Sequence, residues 1–222
     1  MIPLARAVME AFKGADPQFQ AFLDSLPERV SCRKGCAACC ELLALITWPE
    51  AALVAETLRK RGQVARFLPA LVDQAARSTF DGLDQVTYWE RRIPCAFLAP
   101  DKTCGVYIAR PGTCRFYVAF TPPELCAVRP TAQIRQVDEV PILVQLLGPI
   151  LREAERQAPE MRQAGPIPVM VLAALRNLGE KVPDGVVTPA EWLERHGETV
   201  RDEYRRSVAR SRSAQGSVVG DS

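Results

Sequence analysis

Residues 32–40 read C-R-K-G-C-A-A-C-C, which places four cysteines close together in the chain. Four more cysteines follow, at Cys95, Cys104, Cys114 and Cys126, and none lies before residue 32 or after residue 126. Thiols packed this densely must pair with one another or be held by a metal, because free exposed thiols oxidise readily. This short stretch therefore predicts a fold organised around a cysteine centre.

Thiolates are ligands for both zinc and iron, and Cys36-A-A-Cys39 has the spacing that lets two sulfurs reach one ion. Gly35 allows the backbone between Cys32 and Cys36 to bend tightly. Eight thiols can supply two four-sulfur sites, or one cluster with spare ligands. The candidate metal ligands are Cys32, Cys36, Cys39, Cys40, Cys95, Cys104, Cys114 and Cys126.

A disulfide scaffold is the alternative to metal binding. A chain of 222 residues can bury a hydrophobic core without covalent staples, so it does not need disulfides in order to fold. Adjacent cysteines such as Cys39 and Cys40 rarely bond to each other, because the geometry is strained. Arg6, Glu10 and Lys13 interrupt the stretch where a signal peptide needs an apolar run. We therefore expect a reducing, cytoplasmic location and reduced thiols.

Charge and hydropathy argue against two classes of partner. The net charge is only +2, which provides no field strong enough to indicate nucleic-acid binding. No segment approaches the roughly 18 uncharged apolar residues that span a bilayer. The sequence thus predicts a protein with no nucleic-acid partner and no membrane partner.

Helix signals dominate outside the cysteine-rich middle, so the predicted class is mainly α. Apolar residues recur at helical spacing over 47–62, 64–76 and 167–178, and also over 133–158 with a break at Pro141. A short helix after Thr188 is expected to end at His196 and Gly197, where a histidine cation would offset the helix dipole. Four capping boxes are present: Ser25 with Glu28, Thr47 with Glu50, Thr121 with Glu124, and Thr188 with Glu191.

The middle of the chain has a different pattern. Residues 93–120 alternate apolar and polar side chains with turn formers, which predicts a small hairpin about Pro100–Thr103. Pro111 and Gly112 then predict a turn that presents Cys114. We expect one domain with an N-terminal helical segment (1–30), a cysteine metal-binding region (31–130), C-terminal helices (131–207) and a disordered tail (208–222).

Basic residues accompany the cysteines. A four-thiolate metal site carries excess negative charge, so nearby cations are favoured, although ordinary surface charges explain the same pattern. The basic residues within a few positions of a cysteine are Arg33, Lys34, Arg91, Arg92, Arg110, Arg115 and Arg129.

Three motifs together resemble a known family. C-R-K-G-C-A-A-C-C, P-C-A-F-L and C-G-V-Y-I-A-R-P-G-T-C-R-F are similar to the signature of the YkgJ-type cysteine-cluster proteins, a zinc- or iron-chelating domain, across residues 31–126. Three residues separate Cys32 from Cys36, whereas the family often has two. Cys126 corresponds to a looser final cysteine. The resemblance implies that seven of these cysteines, Cys32, Cys36, Cys39, Cys40, Cys95, Cys104 and Cys114, are ligands, accompanied by the motif positions Tyr107, Arg110, Pro111 and Arg115.

The predicted function is ligation of iron, as an iron–sulfur cluster, or of zinc. Unequal spacings between the cysteines are less like the paired knuckles of zinc ribbons, which favours iron slightly. Flagellin lysine methylases resemble the same cysteine pattern, so a cluster-bearing methyltransferase that uses S-adenosylmethionine is the enzyme alternative. No catalytic residue is predicted, and a protein partner stays open.

Overall fold

Helices account for most of the computed structural model, which describes residues 2–33, 35–128, 133–138, 140–157 and 163–216. The predicted mainly α class is confirmed. Two strands, β1 (Leu45–Thr47) and β2 (Ala164–Pro166), and two 3₁₀ turns, Ala38–Glu41 and Tyr107–Ala109, complete the described elements. The helices are α1 (Ile2–Ser25), α2 (Trp48–Lys60), α3 (Val64–Arg77), α4 (Gln85–Glu90), α5 (Gly112–Phe116), α6 (Pro123–Cys126), α7 (Val140–Gln157), α8 (Ile167–Asn177) and α9 (Pro189–Gly216).

Helices α2 and α8 form the centre of the fold. Helix α2 packs between α1 and α8, and α3 packs against α8. Ala51, Ala52 and Ala55 on α2 are completely buried, and their small side chains let the neighbouring helices approach closely. Most residues of helix α8 are buried. Those from Ile167 to Leu172 are all apolar, which suits a helix that is surrounded by its neighbours. One hydrophobic core therefore runs through the described helices.

The sheet joins distant parts of the chain. Strands β1 and β2 are antiparallel, with Leu45 opposite Pro166 and Thr47 opposite Ala164. The hairpin predicted about Pro100–Thr103 is present as a tight turn with a single bridge between Leu98 and Cys104. The turn was predicted correctly because it depends on neighbouring residues. The pairing of β1 with β2 depends instead on a contact between segments far apart in sequence.

Two of the four predicted capping boxes are confirmed. Glu50 accepts hydrogen bonds from the amide of Thr47 at 2.8 Å and from its hydroxyl at 2.7 Å, at the start of α2. Glu191 accepts equivalent bonds from the amide and the hydroxyl of Thr188, at the start of α9. Both helices thus begin where the sequence predicts, because a capping box needs only residues that are neighbours along the chain.

The other two capping boxes are wrong. Ser25 ends α1, and its hydroxyl donates to the carbonyl of Phe22 at 2.7 Å. The hydroxyl of Thr121 accepts from the amide of Arg135 at 2.8 Å, and α6 begins after Pro122 without a side-chain cap. In both cases the hydroxyl that was predicted to cap a helix is hydrogen-bonded to a different backbone group.

The C-terminal half shows three further differences in helix ends. Helix α7 begins at Val140, so Pro141 lies in its first turn, where a missing amide is tolerated, and residue 158 lies outside the described part. Helix α9 passes residue 208, where the disordered tail is predicted to begin, and residues 217–222 lie outside the description. The short helix predicted to end at His196 and Gly197 is wrong, because α9 continues through both residues.

His196 is a buried core residue, so its predicted role as a helix-terminal cation is wrong. The residue is only 5% exposed, and its ring lies 5.2 Å from the ring of Trp192. The indole Nε1 of Trp192 donates to the carbonyl of Ser78 at 3.1 Å, which anchors α9 to the end of α3. Burial, followed by the charge of Arg195, lowers the pKa of His196, while Asp81 opposes the shift.

Acidification should therefore destabilise the protein through His196, the only histidine in the sequence. Its folded pKa lies below the unfolded value of 6.5, so its stabilising contribution is present above pH 6.5 and is lost as pH falls through the folded pKa. We expect the free energy of unfolding to fall between pH 7.5 and pH 5.5, and to fall less in His196→Phe. Urea denaturation at several pH values measures this. Equal slopes in the two proteins would contradict the assignment.

Across the described residues, none of the helices combines the length and the apolar character that a membrane-crossing helix needs.

Candidate metal centre

The segment that carries Cys32 pairs with a distant part of the chain. The amide of Ser31 donates to the carbonyl of Ala119 at 2.7 Å, and the hydroxyl of Ser31 donates to the carbonyl of Phe120 at 2.7 Å. The amide of Ala119 in turn donates to the thiol sulfur of Cys32 at 3.3 Å. Gly35 then takes φ +84°, a left-handed conformation that favours glycine, which turns the chain toward Cys36.

Cys126 joins the same part of the structure from the other side. It is the last residue of α6, and its thiol donates to the carbonyl of Thr121 at 3.3 Å. Arg33 forms a salt bridge of 3.1 Å with Glu124 on the same helix. Helix α6 also packs against the 3₁₀ turn that holds Cys39 and Cys40. The looser final cysteine of the motif is thereby brought beside the first group.

Cys95 and Cys104 reach the centre at the two ends of the tight turn. The amide of Cys95 donates to the carbonyl of Cys40 at 2.7 Å, which fixes this turn against the 3₁₀ turn. A side chain at Gly105 would place its Cβ 2.4 Å from Cζ of Phe67, a buried ring. Glycine directly after Cys104 is thus required by a close approach.

The helix that carries Cys114 is anchored by a buried carboxylate that the sequence did not reveal as part of the site. Cys114 lies in α5, and the amide of Gly112 in that helix donates to Glu50 Oε1 at 2.8 Å. The other oxygen of Glu50 caps α2, and the residue is only 3% exposed. Burial raises the pKa of Glu50, while its hydrogen bonds with Thr47 and Gly112 oppose the shift. The only sequence signal for Glu50 was its capping box.

Cys39 lies at the electrostatic centre of the thiols. The neighbouring thiol of Cys40, together with burial, raises the pKa of Cys39 well above the ordinary value. Cys36 raises the pKa of both Cys32 and Cys126, after burial as the largest cause, so these three thiols lie within electrostatic range of one another. The thiols whose pKa is raised partly by repulsion from Cys39 are Cys32, Cys95, Cys104, Cys114 and Cys126.

Burial keeps the inner thiols protonated in the absence of a metal. It raises the pKa of Cys95 to about 11 and that of Cys114 well above 9.0, and in both it is the largest cause. Residue Cys114 keeps some exposed surface, yet its thiol is surrounded by protein. A thiolate there needs a compensating positive charge.

Arg110 is the basic residue that acts on the thiols. Its charge lowers the pKa of Cys32, Cys39, Cys104 and Cys114. Its guanidinium carbon lies 4.5 Å from the ring centre of Tyr107, and its Nε is buried with no hydrogen-bond partner among the described residues. The motif marked Arg110 as an accompanying position, and in the structure its positive charge favours the thiolate form of four cysteines.

Other basic residues near the cysteines have partners elsewhere. Arg92 pairs with Glu41 at 2.8 Å, and Arg115 pairs with Asp16 at 2.7 Å. Arg91 lies over the ring of Phe80, with its guanidinium carbon 3.6 Å from the ring centre. Lys34 and Arg129 lie outside the described residues. A position near a cysteine in the sequence therefore does not show which basic residue affects the thiols.

The donor set fits a thiolate-binding metal. All eight cysteines are free thiols, and thiolate donors suit zinc and iron. Within the described part of the chain, no three His, Cys, Asp or Glu side chains already meet in a group that could hold an ion. The thiols are gathered in one region, and coordination would have to draw them closer.

Fold and site together define a helical domain built around a multi-thiol centre. Residues 31–140 match the model of the CxxCxxCC family, whose description is "Putative zinc- or iron-chelating domain". Over this region the chain is similar to that family, which confirms the resemblance in the cysteine motifs. No curated protein and no solved structure matches the chain significantly.

Proposed function

We propose that the thiol centre binds iron as an iron–sulfur cluster, with zinc as the alternative metal, and that ligation is the main biochemical activity of the protein. The observation that carries this proposal is that free thiols from separate segments approach the 3₁₀ turn of Cys39 and Cys40: the amide of Cys95 donates to the carbonyl of Cys40, and α6, which ends at Cys126, packs against that turn. The family description, zinc- or iron-chelating, supports the same chemistry.

Burial of the thiols supports a metal as the occupant. An isolated thiolate inside protein is unfavourable, and the raised pKa values of Cys95 and Cys114 express that cost. A metal ion or cluster supplies the positive charge that makes the buried thiolates favourable, and binding then releases their protons. Arg110 offsets part of the excess negative charge that several thiolates leave on the centre.

Iron is favoured over zinc by the irregular supports of the thiols. The cysteines stand on a 3₁₀ turn, a tight turn and two short helices, and two of them, Cys39 and Cys40, are adjacent. Structural zinc sites are usually built from paired C-x-x-C elements, which this arrangement lacks apart from Cys36 and Cys39. A bound cluster would supply one-electron chemistry, and the protein would hold it and limit its contact with water.

Anaerobic purification of the full chain tests the proposal. We expect a brown protein whose visible absorption is accompanied by iron and acid-labile sulfide in fixed ratio to chain. A colourless protein with stoichiometric zinc would establish the alternative metal. A protein that takes up neither metal, with its cysteines oxidised in pairs, would overturn metal binding. The same sample after chelation under reducing conditions is the control for absorption that does not come from metal.

Calorimetric titration of the same protein with S-adenosylmethionine tests the methyltransferase alternative. Tight binding with defined stoichiometry would support an enzyme, whereas the absence of binding heat at millimolar ligand would remove that option.

A further inference from the structure

Helix α5, which carries Cys114, packs on one face of α1. Phe12, Asp16 and Phe19 follow one another at helical spacing in α1, so they lie along the same face. The ring of Phe116 meets the rings of Phe12 and Phe19, with centroids 6.0 and 5.0 Å apart. Asp16 comes between these two aromatic residues in the sequence, and its side chain is 47% exposed. The contact therefore places one carboxylate of α1 beside α5.

Arg115 joins this carboxylate to the segment of Cys104. Its Nη1 donates to both carboxylate oxygens of Asp16, at 3.0 and 2.7 Å. Its Nη2 donates to the carbonyl of Ile108 at 3.0 Å. Ile108 lies in the 3₁₀ turn whose first amide donates to the carbonyl of Cys104 at 3.2 Å. One guanidinium therefore links α1, α5 and the turn that follows Cys104.

The surroundings of Arg115 hold its guanidinium in one place. The side chain is only 11% exposed, and the guanidinium carbon lies 4.9 Å from the ring centre of Phe12. Arginine presents its donors in a rigid plane, so acceptors on two segments are kept at a fixed spacing. Lysine keeps the charge but carries its donors on a single nitrogen, so it cannot reproduce that spacing. The link therefore depends on the shape of the arginine as well as on its charge.

We propose that Arg115 is a positioning residue of the metal centre and that Asp16 of α1 completes its support. The pair acts through the backbone, because it holds the segments that carry Cys104 and Cys114 at a fixed separation. The region that the family model matches begins at residue 31, so α1 precedes it. This inference rests on the proposed metal binding and adds α1 to the structure that binding requires.

Titration of the metal-free, reduced full chain with Co²⁺ alone tests these roles. We expect Asp16→Asn to bind Co²⁺ about 10-fold more weakly than the wild type, as is usual when a group that supports the ligands is lost. Arg115→Lys should show a similar loss, whereas Asp16→Glu keeps the carboxylate and should recover most of the affinity. The double variant Asp16→Asn/Arg115→Lys should bind no more weakly than the weaker single variant, because both changes break the same link.

Two further measurements separate positioning from a role in folding alone. The urea unfolding midpoint of metal-free Asp16→Asn should stay close to that of the wild type, because a salt bridge with a half-exposed partner contributes little to folding. The sulfur-to-cobalt charge-transfer band of the saturated variant should shift, because the sulfurs are placed differently. Asp24→Asn is the matched control: Asp24 is also an exposed carboxylate of α1, but it accepts from Gln20 of the same helix at 2.8 Å.

Wild-type affinity and an unshifted band in Asp16→Asn would overturn the positioning role, as would an equal loss of affinity in Asp24→Asn. A loss of affinity with a lowered unfolding midpoint and an unshifted band would assign the pair to folding alone. Because Arg115→Lys can fail to fold, Asp16→Asn decides the result by itself. Failure of the wild type to bind cobalt, zinc or iron at all would instead refute metal binding, so the two proposals fail in different ways.

Discussion

Replacement of Glu50 by alanine should lower the free energy of unfolding of the metal-free protein by about 3 kcal/mol or more. The carboxylate accepts from the amides of Thr47 and Gly112, each at 2.8 Å, and from the hydroxyl of Thr47 at 2.7 Å. Alanine would leave two buried amides without an acceptor, and each costs about 1–3 kcal/mol. Urea denaturation of wild type and variant measures the difference.

Glu50→Ala should also reduce metal uptake, because Gly112 precedes Cys114 in the same short helix and loses its anchor. Glu50→Gln keeps the shape and one good acceptor, so we expect roughly half the destabilisation. Glu56→Gln is the matched control: Glu56 lies on the same helix and is also 3% exposed, but it pairs with Lys60. Equal metal loss in the Glu50 and Glu56 variants would show that Glu50 has no specific role in positioning Cys114.

Replacement of Arg110 by glutamine should weaken metal affinity at neutral pH by about 10- to 100-fold, the usual effect of losing a group that supports the ligands. Without this charge, the pKa values of Cys32, Cys39, Cys104 and Cys114 rise further. Protons then compete more strongly with the metal for the thiols. Competition with a chromogenic chelator at pH 6.5, 7.5 and 8.5 measures the affinity. Because the pKa values of these thiols lie above 9.0 in both proteins, protons compete at all three pH values and the deficit should be similar at each.

Two controls separate the charge of Arg110 from its packing against Tyr107. Arg110→Lys keeps the positive charge and should recover most of the affinity. Arg92→Gln removes a cation close to Cys95 in sequence, but Arg92 pairs with Glu41 and lies over Trp89. The metal affinity of this variant should therefore stay close to that of the wild type. An Arg110→Gln affinity equal to wild type, or an equal loss in Arg92→Gln, would contradict the role assigned to Arg110.

Helical class, the capping boxes of Thr47 and Thr188, and the turn near Pro100 could all be predicted because each depends on residues close in sequence. The predictions that failed did so because the same residues make other contacts. Ser25 and Thr121 carried the same capping signal, but contacts with other backbone groups occupy their hydroxyls. Gly197 resembled a helix end, yet α9 passes through it while His196 packs beside Trp192.

The sequence by itself determined the resemblance to the family and the eight candidate ligands, because the cysteine spacing and the R-P-G-T-C motif are properties of the linear chain. Only the tertiary structure decided that the amide of Ala119 donates to the sulfur of Cys32, that the amide of Cys95 donates to the carbonyl of Cys40, and that Glu50 anchors the helix of Cys114. The physical reason is that burial, electrostatic range and hydrogen-bond geometry depend on distance in space, and the packing of α2 against its neighbours sets that distance.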